Sequence, residues 1–330
     1  MKYARGSARA EVPARAGLVG NPSDAFGGAV VGVALENLRA TVVAEPALGV
    51  QLEADDEALS FEDLPQLAAA DTGIPKEGPL ALLWAATKGY ASNRRGLEDA
   101  RVRVRLEGST IPPGVGLAGS SAIVIAALRA LGDLFGDSIS EQDLPSVALA
   151  CERDELGITA GLGDRVVQVY RGLVYLDLAR EGGPRVEPLD AGRLPDLFVA
   201  WRPDAQTDSG DVHRAMRGRF AAGEAEVVET MREIAGLARA AMRALLTGDS
   251  GGLGILMERN LELRRGLYDL DERHTEMADA ARELGSAVNF TGSGGAIVGL
   301  YRDDSQLGEL RESLGELGCE LVVRSRGSFR

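Results

Sequence analysis

The stretch Ile111-Pro112-Pro113-Gly114-Val115-Gly116-Leu117-Ala118-Gly119-Ser120-Ser121-Ala122 is a glycine-rich loop running into a strongly apolar helical segment, Ala122 to Phe135. Glycine lets the backbone turn without a Cβ clash and approach a ligand closely. The helix that follows points its unpaired N–H groups and the positive end of its dipole at the loop. An anion, phosphate above all, suits such a place. Of the two serines at the helix start, one can cap free N–H groups and the other can offer its hydroxyl to a phosphate or to a phosphate-bound Mg2+. A capped turn without a ligand has the same composition, so the rest of the chain must decide.

Two established phosphate motifs fail on this loop. Gly114, Gly116 and Gly119 match the dinucleotide pattern GxGxxG. The strand before them, Arg101-Val102-Arg103-Val104-Arg105-Leu106, alternates and so wets one face, whereas the strand of a dinucleotide fold is buried on both. Pro112 and Pro113 also break the tight strand-to-helix turn. The Walker loop needs Lys before its Ser or Thr, and Gly119 stands there. A third kind of phosphate loop remains.

With 330 residues, 45% of them hydrophobic, the chain has material for two domains with ordinary cores. A formal net charge of −14 disfavours nucleic acid and anionic membrane as partners, because an acidic surface is repelled by both. Acidic clusters such as Asp55-Asp56-Glu57 read as solvated surface. Cys151 and Cys319 lie far apart without CxxC spacing, so reduced thiols are expected, Cys151 in an apolar helical pattern. Residues 1–20 carry charges throughout and no run of 18 apolar residues occurs, which predicts a cytoplasmic protein with no membrane segment. His213 and His274, the two histidines, sit in helical, charged surroundings and are expected at the surface. HExxH zinc chemistry is thereby excluded.

Along the chain, Ala10 to Asp24 reads as a broken strand ending in an Asn-Pro turn, followed by strands at Ala29 to Leu35, Leu38 to Ala44 and Val50 to Ala54. A helix at Pro79 to Ala91 carries Trp84 at core spacing with Leu80, Leu83 and Thr87. After the central loop a helix at Glu141 to Leu156 is expected, then the turn Ile158-Thr159-Ala160-Gly161-Leu162-Gly163-Asp164-Arg165. That turn sets one carboxylate, Asp164, at a helix start, either as a cap or as a reacting group. A strand at Val174 to Leu178 precedes a linker rich in Gly and Pro. Beyond it come a strand at Leu197 to Trp201, a long amphipathic helix through Val227, Met231, Ile234, Ala238 and Leu245 ending at Gly248, and a helix capped by Asp249-Ser250. Small residues at Thr291 to Ala296 expose backbone N–H groups ahead of a strand at Ile297 to Tyr301. A helix at Gln306 to Leu317 and a strand at Glu320 to Arg324 close the chain.

The loop Pro113 to Ala122 resembles the second motif of the GHMP kinases (galactokinase, homoserine kinase, mevalonate kinase, phosphomevalonate kinase): a Pro, then Gly-Leu, then a short Gly/Ser run ending Ser-Ser-Ala. Pro13-Ala14-Arg15 through Leu18 and Gly20 resembles their first motif, and Asn289-Phe290-Thr291-Gly292-Ser293-Gly294-Gly295 a shortened third, with Asn289 where Lys is common. Glu152 followed twelve residues later by Asp164 is similar to their magnesium-and-base segment, with Arg165 where Gln is common. Within the family, Gly20-Asn21-Pro22-Ser23-Asp24, Asp208-Ser209-Gly210-Asp211-Val212-His213 and Phe290-Thr291-Gly292-Ser293-Gly294-Gly295-Ala296 resemble the glucuronokinase branch.

That resemblance implies an α+β, two-domain GHMP kinase fold, with a ribosomal-S5-like N-terminal domain at 1–192 and a ferredoxin-like C-terminal domain at 193–330. It implies ATP and Mg2+, and γ-phosphoryl transfer to the anomeric hydroxyl of a small-molecule sugar or sugar acid. Another sugar-1-kinase, or a mevalonate-type kinase or decarboxylase, is the alternative. The implied ATP site is Pro113, Gly114, Gly116, Leu117, Ala118, Gly119, Ser120 and Ser121, with Ser121 and Glu152 on the metal. Asp164 would orient or deprotonate the acceptor hydroxyl and Arg15 would stabilise developing charge. Asn21, Asp24, Thr291, Gly292, Ser293 and Gly294 would meet the substrate, and Arg202 or Arg214 a substrate carboxylate.

Overall fold

The computed structural model describes residues 3–70, 72–92, 94, 96–181, 183–204, 209–292 and 294–324, with 209–214 by backbone alone. Strands β1 (Ala8–Val19), β2 (Ala29–Pro46), β3 (Val50–Ala54) and β4 (Glu57–Phe61) come first, then helices α1 (Leu64–Ala69) and α2 (Pro79–Ser92). Strand β5 (Val102–Ser109) leads through the glycine loop into α3 (Gly119–Phe135), α4 (Leu144–Ala150), a π-helical turn (Cys151–Glu155) and α5 (Gly163–Tyr170). Strands β6 (Leu173–Asp177), β7 (Arg185–Leu189) and β8 (Leu197–Trp201) precede helices α6 (Ser209–Ala221), α7 (Ala225–Thr247), α8 (Ser250–Leu267) and α9 (Glu272–Glu283). Strands β9 (Val288–Phe290) and β10 (Ala296–Leu300), helix α10 (Asp304–Glu316) and strand β11 (Glu320–Arg324) follow. The class is α+β, as expected.

Two compact units divide the chain: one holds Met1–Ala14, Glu36–Ile111 and Ala118–Val169, the other Arg15–Leu35, Pro112–Leu117 and Tyr170–Arg330. In the first, the strands run in the order β4-β3-β5-β2, β3 and β5 parallel and the other pairs antiparallel. Helices α2 and α3 are buried on nearly all sides, which their sequences anticipate: a helix apolar all round belongs in a core. Each fully buried Ile or Leu there, such as Ile125 and Leu128, stabilises by about 1.5–3 kcal/mol relative to exposure. Trp84 is core too, its Nε1 donating to Leu67 O at 3.3 Å.

In the second unit the start of β2 pairs with β6, and β6 with β7, while β11-β8-β10-β9 form a separate antiparallel sheet. Its core gathers Phe198, Leu261, Met277, Phe290, Ile297 and Leu310. Helix α7 buries the expected stripe of Val227, Met231, Ile234, Ala238 and Leu245 and ends at Gly248 in the left-handed region (φ 73°), where only glycine sits without strain. Asp249 then caps α8, accepting from Gly252 N at 2.8 Å. Arg239 on α7 grips Asp177 at the end of β6 through two hydrogen bonds of 2.9 and 3.1 Å, which holds that carboxyl below its usual range.

Three expectations are corrected. Strands expected at Ala29 to Leu35 and Leu38 to Ala44 are one strand, because Glu36 and Asn37 stay extended at wet positions where a polar side chain costs nothing. The helix expected over Glu141 to Leu156 begins at Leu144 and loosens into the π-turn at Cys151. His274 is buried rather than at the surface: four-residue spacing puts it on the same face of α9 as Ala278 and Ala281, with its ring 6.4 Å from Phe290. Both cysteines are free, and burial pushes the Cys151 thiol up to about 12.

Candidate active site

The central loop has positive φ at every second residue: Gly114 at 69°, Gly116 at 75° and Ala118 at 61°. Such alternation curls successive N–H groups toward one concavity, the shape that holds anions. Two of the three are glycine, but Ala118 sits there at a cost of roughly 1–2 kcal/mol. Strain of that kind concentrates where a backbone is shaped for a ligand. Helix α3 starts with no side-chain cap, and its ladder opens only with Ala122 N donating to Ala118 O at 3.2 Å. Neither serine caps it, contrary to expectation. Ser121 instead turns inward, fully buried, donating to Gln168 Oε1 at 2.7 Å, while Gln168 Nε2 donates to Ala118 O at 2.8 Å and Pro13 O at 3.0 Å. Gln168 thus fixes the strained residue and the serine after it, a role the sequence did not reveal. Pro113 and Gly114 are exposed, Leu117 is buried, and Gly116, Ala118, Gly119 and Ser120 are half-buried.

The π-turn delivers Glu152 into the interior of the same unit. An i→i+5 turn shifts a helix face by a fraction of a turn and often marks a functional site. Glu152 is fully buried and its Oε2 takes two donations from Arg165, from Nε at 2.8 Å and from Nη2, while Arg165 Nη1 donates to Gly161 O at 2.9 Å. Oε1 has no hydrogen-bond partner among the described residues. Asp164, in the first turn of α5 where a helix dipole favours negative charge, is about a third exposed and lies 3.8 Å from Arg165 Nη1.

The second unit joins the first and third motifs. Arg15 is buried and its Nη1 donates to Gly116 O at 2.7 Å and Thr291 O at 3.1 Å; Thr291 Oγ1 also donates to Gly116 O at 3.0 Å. Asn21 is spent on structure: Nδ2 donates to Phe290 O at 2.7 Å and Oδ1 accepts from Asn289 Nδ2 at 3.2 Å. Asn260 on α8 holds the same turn, accepting from Gly20 N at 2.6 Å and donating to Asn21 O at 3.1 Å. Asp24 is half-buried in a short turn, Ser23–Phe26. Beneath the third motif lies Arg264, fully buried, donating to Phe290 O at 3.3 Å and Gly292 O at 2.6 Å, with burial lowering its pKa to about 10. Gly294 lies in the described part of that turn with φ 148°, whereas Ser293 is outside the described residues.

Of the arginines considered for a carboxylate, Arg202 is committed to Asp204 at 3.0 Å and Glu276 at 3.2 Å. Arg214 lies in the backbone-only part of α6, and 205–208 are outside the described residues. Asn260 and Arg264 were missed in the sequence, yet a signal was there: they share a face of α8 with Leu253, Met257 and Leu261, polar residues on an apolar stripe.

Phosphoryl transfer asks a protein for electrostatic grip and positioning more than for covalent chemistry, and the curled loop at an uncapped helix start supplies both. The fold is one shared by small-molecule kinases. The sequence matches the family described as GHMP kinases N terminal domain over residues 81–172 and GHMP kinases C terminal over 241–318, and the chain belongs to the GHMP kinases. It is a phosphotransferase with an alcohol acceptor. Glucuronokinase 1 of Arabidopsis thaliana is 35% identical over 305 residues, which cover 86% of this chain and 82% of the relative. A mevalonate kinase of Aeropyrum pernix is 28% identical over 326 residues, 97% of this chain and 94% of that one. The crystal structure of Methanococcus jannaschii mevalonate kinase shares the fold, with TM-score 0.77 at 17% identity, covering 97% of this chain and 98% of its own. Among the described residues no helix is long and apolar enough to cross a membrane.

Gly292 offers a test of the joined motifs. A Cβ there would lie 2.5 Å from Gly116 O and 3.1 Å from Arg15 Nη2, so the third-motif turn would have to leave the loop. Gly292→Ala is expected to destabilise by about 1–3 kcal/mol. It should also lower kcat/KM about tenfold or more, since small misplacements at a reacting centre are costly. Thermal melting and ADP release check the two effects; wild-type kinetics would detach this turn from the site.

Proposed function

We propose that the protein transfers the γ-phosphoryl group of ATP to the anomeric hydroxyl of a hexuronic acid, D-glucuronate foremost, giving the sugar acid 1-phosphate and ADP. What supports this is the likeness to the Arabidopsis glucuronokinases together with the three motifs in order along the chain, the third of them shortened and with Asn289 in the place of Lys. The family reading sets the domain boundary near Gly192, between the two matched segments, and expects a cytoplasmic protein.

Backbone N–H groups of Gly114 to Ser121, at the positive end of α3, hold the β- and γ-phosphates. Asp164 accepts the proton of the acceptor hydroxyl as its oxygen bonds to the γ-phosphorus and the bond to the β–γ bridging oxygen breaks, releasing ADP. Arg15 stabilises the charge that develops. Asp24 accepts hydrogen bonds from sugar hydroxyls, Asn21 pins the turn that presents it, and Thr291, Gly292, Ser293 and Gly294 line the substrate. The unpartnered, fully buried Glu152 Oε1 and the Ser121 hydroxyl are hard oxygen donors of the sort Mg2+ takes, so the residues fit the metal. Bound there, Mg2+ would neutralise phosphate charge.

The test is ADP release with Mg-ATP across D-glucuronate, D-glucose, D-galactose and mevalonate. D-glucuronate should have the highest kcat/KM, by about 10²-fold or more over the neutral hexoses, because a site built for a polar group rejects analogues that lack it. Equal use of the neutral hexoses would leave a sugar-1-kinase without the uronate assignment; a preference for mevalonate would replace it.

A further inference from the structure

The last turn of α8 and the residue that ends it carry two buried polar side chains that the reading above leaves without a task. Arg264 is fully buried, yet among the described residues no carboxylate lies within ion-pair distance of it. Its partners are the carbonyls of Phe290 and Gly292 and the rings of Phe290 and Tyr268, 5.2 and 5.9 Å from its Cζ. Nε has no acceptor. A guanidinium has five N–H donors, and two hydrogen bonds to carbonyls leave most of them and the whole charge uncompensated. One turn further on, Tyr268 is buried with its hydroxyl unpartnered.

Stability does not explain this pair. Buried charges come with counter-charges, and a well-packed apolar side chain is as stabilising as a paired ion or more so. A second buried guanidinium, Arg15, is bonded to the same turn through Thr291 O at 3.1 Å. Residues 290–292 thus lie between two guanidinium groups, and of the two it is Arg264 whose charge calls for an anion. The bond from Arg264 Nη2 reaches Gly292 O, within the third motif. Tyr268 shares an apolar cluster with Phe26, at the end of the turn that presents Asp24. Tyr268 is thereby tied to the turn that holds Asp24. The α3 start already serves the phosphates, and Arg202 already has two carboxylates.

We infer that Arg264, assisted by the Tyr268 hydroxyl, seats the carboxylate of the substrate and so selects a sugar acid over a neutral sugar. This rests on the uronate reading given above. An Arg fork pairs with a carboxylate through two parallel bonds, which Gln cannot supply and Lys supplies only as a point charge.

The experiment measures kcat/KM for D-glucuronate and D-glucuronamide with Mg-ATP in the wild type, Arg264→Gln and Tyr268→Phe. The acid-to-amide ratio cancels any general loss of folded or competent enzyme. In the wild type it should be about 10² or more. Arg264→Gln should bring it to within a few-fold of one, and Tyr268→Phe should lower it about tenfold or more, the worth of one hydrogen bond to a charged group. Equal losses on acid and amide in Arg264→Gln would make Arg264 a brace for the third motif and overturn the inference, as would an unchanged ratio. If Arg264→Gln does not fold, Tyr268→Phe and the wild-type ratio decide: a wild type that uses acid and amide alike, or an unaltered ratio in Tyr268→Phe, overturns it. A wild type that releases no ADP with either sugar overturns the uronate reading and this inference together; one active on glucuronate leaves that reading standing whatever Arg264 does.

Discussion

Asp164→Asn is expected to keep the fold and ATP binding while lowering kcat by about 10² to 10⁴, the contribution of a positioned general base. Asparagine is isosteric with aspartate and serves a helix start as well, so α5 should not move. The charge and the proton-accepting oxygen are what disappear. Asp164 is suited to the task by place: in a helix first turn, partly exposed, and 3.8 Å from a guanidinium whose closer bonds go to Glu152. A residue that only capped the helix would give the opposite pattern, near-normal turnover. Rapid-quench measurement of the phosphoryl-transfer step, beside ATP affinity by titration, separates the two roles. Near-normal chemistry in the variant would remove Asp164 from the reaction and leave the helix start as its whole purpose.

The parts that were legible in the sequence are those in which local chemistry decides the outcome. Glycines 114 and 116 let the backbone turn, the alternation of Arg101 to Leu106 demands a half-wet strand, and the stripe Val227 to Leu245 demands an amphipathic helix; the strand and the helix are found as read, and the turn uses positive φ at both glycines. The parts that were not legible depend on what packs against what. Nothing local says that Ser121 turns inward to Gln168, forty-seven residues on, or that an apparently regular helix loosens at Cys151 so that Glu152 enters the interior. His274 and Arg264 look like surface residues among their charged neighbours Arg273 and Arg265, and only the helical phase, which sets them among apolar side chains, carries them inside. The polar residue on an apolar stripe is the signal worth keeping, because there burial and charge conflict and function resolves the conflict.

Glu152→Gln is expected to change two things at once. Arg165 is 2% exposed and Glu152 fully buried, so neutralising the carboxylate takes from a buried guanidinium its buried partner and leaves it the more distant, partly exposed Asp164. Removing one member of a buried pair costs about 3–5 kcal/mol, which for a chain of this size lowers Tm by roughly 4–7 °C. Independently, an amide is a poor ligand for a hard cation, so half-maximal activity should need about tenfold or more Mg2+. The two effects come apart in the double variant Glu152→Gln with Arg165→Gln. With both charges gone the interior no longer holds a cation that has lost its buried partner, so most of the lost Tm should return. The Mg2+ requirement should stay high, because Oε1, the oxygen with no protein partner, is still missing its charge. Calorimetry and a Mg2+ titration of ADP release read the two quantities separately. Recovery of both in the double variant would mean that Glu152 matters only as a counter-ion to Arg165. Unaltered Mg2+ dependence in the single variant would move the metal away from this carboxylate altogether.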